Sequence, residues 1–64
     1  MNLTTQQKEN VTVTFSVNQY VAHTYDGVMI GTFYSKHDMM EEFRKEGIRS
    51  KLTGHAIEMF RSGY

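Results

Sequence analysis

The sequence predicts an α+β domain: a three-stranded antiparallel β-meander followed by two short α-helices packed on one sheet face, in the order βββαα. Three observations lead there. Residues 11–17, "VTVTFSV", alternate apolar and hydroxyl side chains without a break, the period-two signature of a strand with one buried face. Two β-rich runs, "YVAHTY" and "VMIGTFY", meet at Asp26-Gly27, a pair favoured where a hairpin turn requires positive φ. Beyond Ser35 the apolar residues switch to spacings of three and four, the helical period.

Residues 1–10 are polar and aperiodic and read as a flexible lead-in, leaving 11–64 as the single domain. Asn18-Gln19 can turn the first strand into the second. With a two-residue loop there and another at Asp26-Gly27, Val17 pairs with Tyr20, Phe15 with Ala22, Ala22 with Gly31 and Tyr20 with Phe33. Paired residues share a face. One face then holds Val11, Val13, Phe15, Val17, Tyr20, Ala22, Met29, Gly31 and Phe33, a good core. The other holds Thr12, Thr14, Ser16, Val21, His23, Tyr25, Val28, Ile30, Thr32 and Tyr34.

Ser35 is placed to cap a first helix, "KHDMMEEFRKE", with Asp38 suiting its N-terminal dipole, Arg44 and Lys45 its C-terminal end, and Gly47 as the stop. A second helix is predicted from near Ser50, because Leu52, Ala56, Met59 and Phe60 fall on one helical stripe. The chain has no proline, repeat or low-complexity run.

Composition excludes several functions. At 64 residues without a cysteine, the chain forms neither disulfides nor thiolate metal sites. A domain this small has a thin core, and self-association into a homodimer is the remedy left to it. One route is edge pairing through Val11–Val17. Seven basic residues balance seven acidic ones, so there is no general attraction to nucleic acid or anionic lipid. No run suits a membrane span. The N-terminus has no apolar signal segment, so the expected location is the cytoplasm, and the chain reads as a whole small gene product.

Catalytic and metal chemistry find no foothold. His23, His37 and His55 fall on three different predicted elements, and His37-Glu41, the one ligand pair at helical spacing, is a common surface pattern. No glycine-rich phosphate loop occurs, and no nucleophile, base and orienter are placed together. Glu41 and Glu42 are adjacent and point apart on a helix. The chain is therefore expected not to be an enzyme and to hold no cofactor. A basic cluster, Arg44, Lys45, Arg49 and Lys51, surrounds a helix–Gly–helix arrangement loosely like a helix-turn-helix. Phe43 stands where that motif takes a small residue, so the cluster reads as helix-end charge complementing the dipole or as an interface rim.

The run Tyr20–Phe43 resembles the DNA-binding domain of plant ethylene-response factors and the related arm-binding domains of phage integrases. The shared positions are Tyr20, Ala22, Gly27, Ile30, Gly31, Thr32, Phe33, Ser35, Asp38 and Phe43. The resemblance implies a three-stranded sheet backed by a helix, with the open face reading DNA through arginines and tryptophans. This sequence departs from that pattern: it has no Lys or Arg between Lys8 and Lys36 and no Trp, so its predicted strands lack the cations that supply phosphate affinity and base readout.

The expected function is therefore a small protein-binding module, of a size that suits a phage-type inhibitor or modulator docking on a host protein. Its partner-binding residues are Val21, His23, Tyr25, Val28, Ile30 and Tyr34, because contact cores are rich in aromatic groups and poor in charge. The alternative is a small nucleic-acid-binding regulator using Arg44, Lys45, Arg49 and Lys51.

Overall fold

A computed structural model describes residues 2–64 of the chain. The architecture is α+β: a four-stranded sheet and three helices, in the order α1 (Thr5–Glu9), β1 (Val11–Ser16), β2 (Gln19–Thr24), β3 (Met29–Phe33), α2 (Lys36–Glu46), β4 (Ser50–Leu52) and α3 (His55–Arg61). The sheet order is β3-β2-β1-β4. The predicted meander is present, and β4 is an addition to it.

The first hairpin turns one residue earlier than expected. Val17 and Asn18, not Asn18 and Gln19, form the turn, both at positive φ (51° and 61°). Ser16 pairs with Gln19, and Phe15 faces Tyr20 instead of Ala22. The register moves by two residues, so side chains keep their faces, with a period of two. Val17 is the exception, leaving the core face for the turn, where it is 83% exposed. The new pairing sets the Phe15 and Tyr20 rings edge to face at 5.0 Å.

The second hairpin has a three-residue loop, Tyr25-Asp26-Gly27. Gly27 N donates to Thr24 O (3.1 Å) and Thr24 N to Val28 O (2.9 Å). Only Gly27 takes positive φ there (91°), the arrangement of a tight turn followed by a left-handed residue. The expected pairs Tyr20–Phe33 and Ala22–Gly31 form. The next pair is His23–Met29, which leaves Ile30 as a bulge. One extra residue in a strand reverses the facing of the residues beyond it. Met29 therefore turns outward, 55% exposed, and Ile30 packs against the core. Both were expected on the opposite faces.

α2 is as predicted. Ser35 Oγ accepts from Asp38 N at 3.2 Å. Gly47 stops the helix at φ 69°, and Ile48 N reaches back to Phe43 O at 2.8 Å, a left-handed terminus that glycine adopts without a Cβ penalty.

Ser50 does not begin a helix. Ser50–Leu52 runs extended and pairs parallel with Val11–Val13. A six-residue strand such as β1 leaves a long row of unmatched backbone groups if its second edge is open. β4 covers the Val11–Val13 half of that edge, flanked by bonds from Val11 N to Arg49 O (3.3 Å) and from Thr53 N to Val13 O (2.9 Å). The expected dimerisation edge Val11–Val17 is therefore occupied over Val11–Val13, and no second helix stands where a helix-turn-helix would need one. The final helix starts at His55, yet Leu52, Ala56, Met59 and Phe60 still meet the core, Leu52 from the strand.

The core lies between one sheet face and the helices α2 and α3. Val11, Val13, Tyr20, Ala22, Met39, Phe43, Ile48 and Ala56 are buried in it. Phe33 and Phe43 meet edge to face at 5.8 Å across the sheet–helix boundary. The C-terminus is tied in: Lys36 N donates to Tyr64 O at 3.0 Å, and Lys36 Nζ lies 5.0 Å above the Phe60 ring.

α1 occupies part of the stretch expected to be aperiodic. Its signal is a capping box: Gln7 N donates to Thr4 Oγ1, and Thr4 N to Gln7 Oε1 (3.1 and 2.9 Å).

Candidate protein-docking face

Because α2 and α3 share one side of the sheet, the outer side is built from the alternate residues of each strand. Thr12 and Thr14 come from β1, Val21 and His23 from β2, Met29 and Thr32 from β3. The cross-strand pairs Thr12–His23, Thr14–Val21, Val21–Thr32 and His23–Met29 set them in register. Among the described residues, a cation joins them only at the β4 border, where Lys51 stands opposite Thr12.

One end of this face is the Tyr25-Asp26-Gly27 loop, and its geometry is held by three contacts. The Thr24 hydroxyl donates to Asp26 Oδ1 and accepts from Val28 N at 2.9 Å. Gln7 Nε2 donates to Asp26 Oδ2 at 3.2 Å. Thr24 is fully buried, so the loop is anchored in the core. The Thr24 hydrogen bond, with help from Gln7, holds the Asp26 carboxyl below the usual carboxylate range, since bonds to the charged form favour it. Tyr25 is thus presented to solvent from a braced turn, 55% exposed.

The residues expected to bind a partner are distributed unevenly. Val21 and His23 lie half-buried on the outer face. Tyr25, Val28 and Tyr34 are exposed, Tyr25 at the loop end beside Thr12, Arg49 and Lys51. Val28, expected on the outer face, is turned off it by the bulge and stands opposite the buried Thr24. Ile30 does not join them; the bulge turns it toward the helices, where it shares a 180 Å³ hollow with Leu3, Phe33, Glu42, Glu46 and Ile48. Met29 takes its place. Val17, at the far hairpin tip, is a further exposed apolar residue that pattern reading put in the core.

The basic cluster is divided. Arg44 borders a hollow of about 490 Å³ between α2 and β4, floored by Met40, Phe43 and Ile48. Arg49 and Lys51 border another, of about 340 Å³, together with Tyr25 and Thr12. Lys45 is exposed on α2. Arg44 is engaged by Glu41 at 3.7 Å, one turn away.

Among the described residues, no three His, Asp or Glu side chains approach closely enough to hold a metal ion. No helix among them is long and apolar enough to cross a membrane. No family model, curated protein or solved structure matches the chain.

Proposed function

We propose that this chain is a non-enzymatic protein-binding module that docks the outer face of its sheet on a partner protein and acts sterically, as an inhibitor or modulator. The observation that supports this is a group of exposed residues at that face: Met29 (55%) on it opposite His23, Tyr25 (55%) at its loop end beside Thr12, and Tyr34 (74%) just after β3. Tyrosine and methionine are enriched where proteins meet, and charge is depleted there. A braced loop under Tyr25 lowers the ordering cost of docking. The test is capture from a cell lysate by the immobilised chain, followed by mass spectrometry. A discrete protein retained by the wild type and lost at least about tenfold with Tyr25→Ala or Tyr34→Ala supports the reading. Equal retention by both variants contradicts it.

A second reading, a nucleic-acid-binding regulator, draws on Arg49 and Lys51 lying beside Tyr25 at one hollow. Cation and ring together suit a phosphate chain with an unstacked base. Duplex or single-stranded binding that falls steeply with salt would favour it over protein docking.

A further inference from the structure

We propose that β3 is an association edge whose occupant is β3 of a second copy of this chain, paired antiparallel about a two-fold axis near Thr32. The sheet has two outermost strands, β3 and β4, and they are built differently. β4 is three residues long with Lys51 at its centre and Arg49 just before it, and short, charged edges resist strand addition. β3 is five residues long, "MIGTF", without charge or proline, and the uncharged run extends from Gly27 through Ser35. Such an edge offers unmatched N–H and C=O groups to another strand, a condition natural sheets seldom leave unguarded.

Another strand satisfies an open strand edge most fully, and a second β3 fits this one best. Pairing β3 with itself brings no like charges together, and a net charge of zero removes repulsion between copies. The bulge at Ile30 interrupts regular pairing at one end, so the even stretch is Gly31–Phe33, with exposed Thr32 at its midpoint. A two-fold axis there sets Thr32 opposite its own copy. It also carries each Tyr34, 74% exposed, toward the other copy's Met29–Ile30 end. This contact closes on itself as a two-chain dimer, whereas β3 added to β4 is heterologous and gives larger rings or open filaments. A single short strand and a few side chains fall below the roughly 800 Å² per partner of a stable complex. The dimer is therefore reversible and forms at high concentration.

Sedimentation velocity from about 10 μM to about 1 mM spans the relevant affinities. The wild type should pass from the mass of one chain to that of two. Thr32→Lys and Thr32→Glu should each stay at one chain across the range, with an unchanged circular-dichroism spectrum. Their equimolar mixture should regain the two-chain species, because opposite charges then face each other across the axis. A wild type that remains a single chain at the highest concentration overturns the proposal. So does Thr32→Lys associating as the wild type does, or a mixture that fails to associate.

Discussion

Gln7 Nε2 donates to Asp26 Oδ2 at 3.2 Å, joining the first helix to the β2–β3 loop across nineteen positions of sequence. The same amide completes the capping box through its oxygen, so one side chain orders both α1 and the loop carrying Tyr25. Asp26 has its carboxyl pKa lowered in the folded chain, chiefly by Thr24 and also by Gln7. A group depressed on folding stabilises above its unfolded pKa and loses that contribution as pH falls through its folded value. Wild-type Tm should therefore drop more between about pH 5 and about pH 2 than that of Asp26→Asn, which has no carboxyl to protonate. Parallel Tm-against-pH curves for the two proteins would contradict the bracing described here.

Val17 holds φ at 51° with its side chain 83% exposed. A β-branched residue is strained in the left-handed region, and nothing buried compensates it. Val17→Asn or Val17→Gly should raise stability by about 1 kcal/mol, some 4–8 °C in Tm for a domain of this size. Thermal unfolding by circular dichroism reads this directly, and a fall in Tm would contradict the turn assignment.

Tyr20 is fully buried, and its hydroxyl has no hydrogen-bond partner among the described residues. Burial pushes the phenol pKa up. The ring contributes through Phe15 and Phe60, edge to face at 5.0 and 6.5 Å. Removing an unsatisfied buried hydroxyl relieves a desolvation cost. Tyr20→Phe should be neutral or stabilising by up to about 1 kcal/mol, whereas Tyr20→Ala should lose about 3–5 kcal/mol. Chemical denaturation separates the two, and a large loss in Tyr20→Phe would mean the hydroxyl is bonded in solution.

The β3 bulge makes neighbours behave oppositely. Ile30→Ala should cost about 1–2 kcal/mol because its side chain packs on the core. Met29→Ala, at 55% exposure, should change stability by no more than about 0.5 kcal/mol. Equal losses in denaturant melts would place the bulge elsewhere.

These contrasts mark how far a single sequence can be read. Strict alternation over Val11–Val17 and the Ser35 and Gly47 caps around a helical stripe are local signals, and β1 and α2 obey them. The β2–β3 pairing was readable near Tyr20 and Ala22, where alternation persists. It was not readable at Ile30, because a bulge has no composition of its own and exchanged Met29 for Ile30 on the outer face. β4 was hidden for another reason. Ser50-Lys51-Leu52 is extended because β1 lacks a partner on that edge, a need that arises only once the sheet exists. Its Leu52 sits at a spacing that also satisfies a helix. α1 had a visible cap in Thr4 and Gln7, but no apolar stripe to draw attention to it. Of the six expected contact residues, Val21 and His23 lie on the outer face and Tyr25 and Tyr34 are exposed beside it, whereas Val28 and Ile30, in the stretch the bulge shifts, are turned away from it.

The most direct measurement is nuclear magnetic resonance mapping of the labelled chain as the captured partner is added. Perturbations should concentrate at Val21, His23, Tyr25, Met29, Thr32 and Tyr34, with α2 and α3 unaffected. Perturbations confined to the hollow at Met40, Phe43 and Ile48, with the outer strands silent, would contradict docking through the sheet.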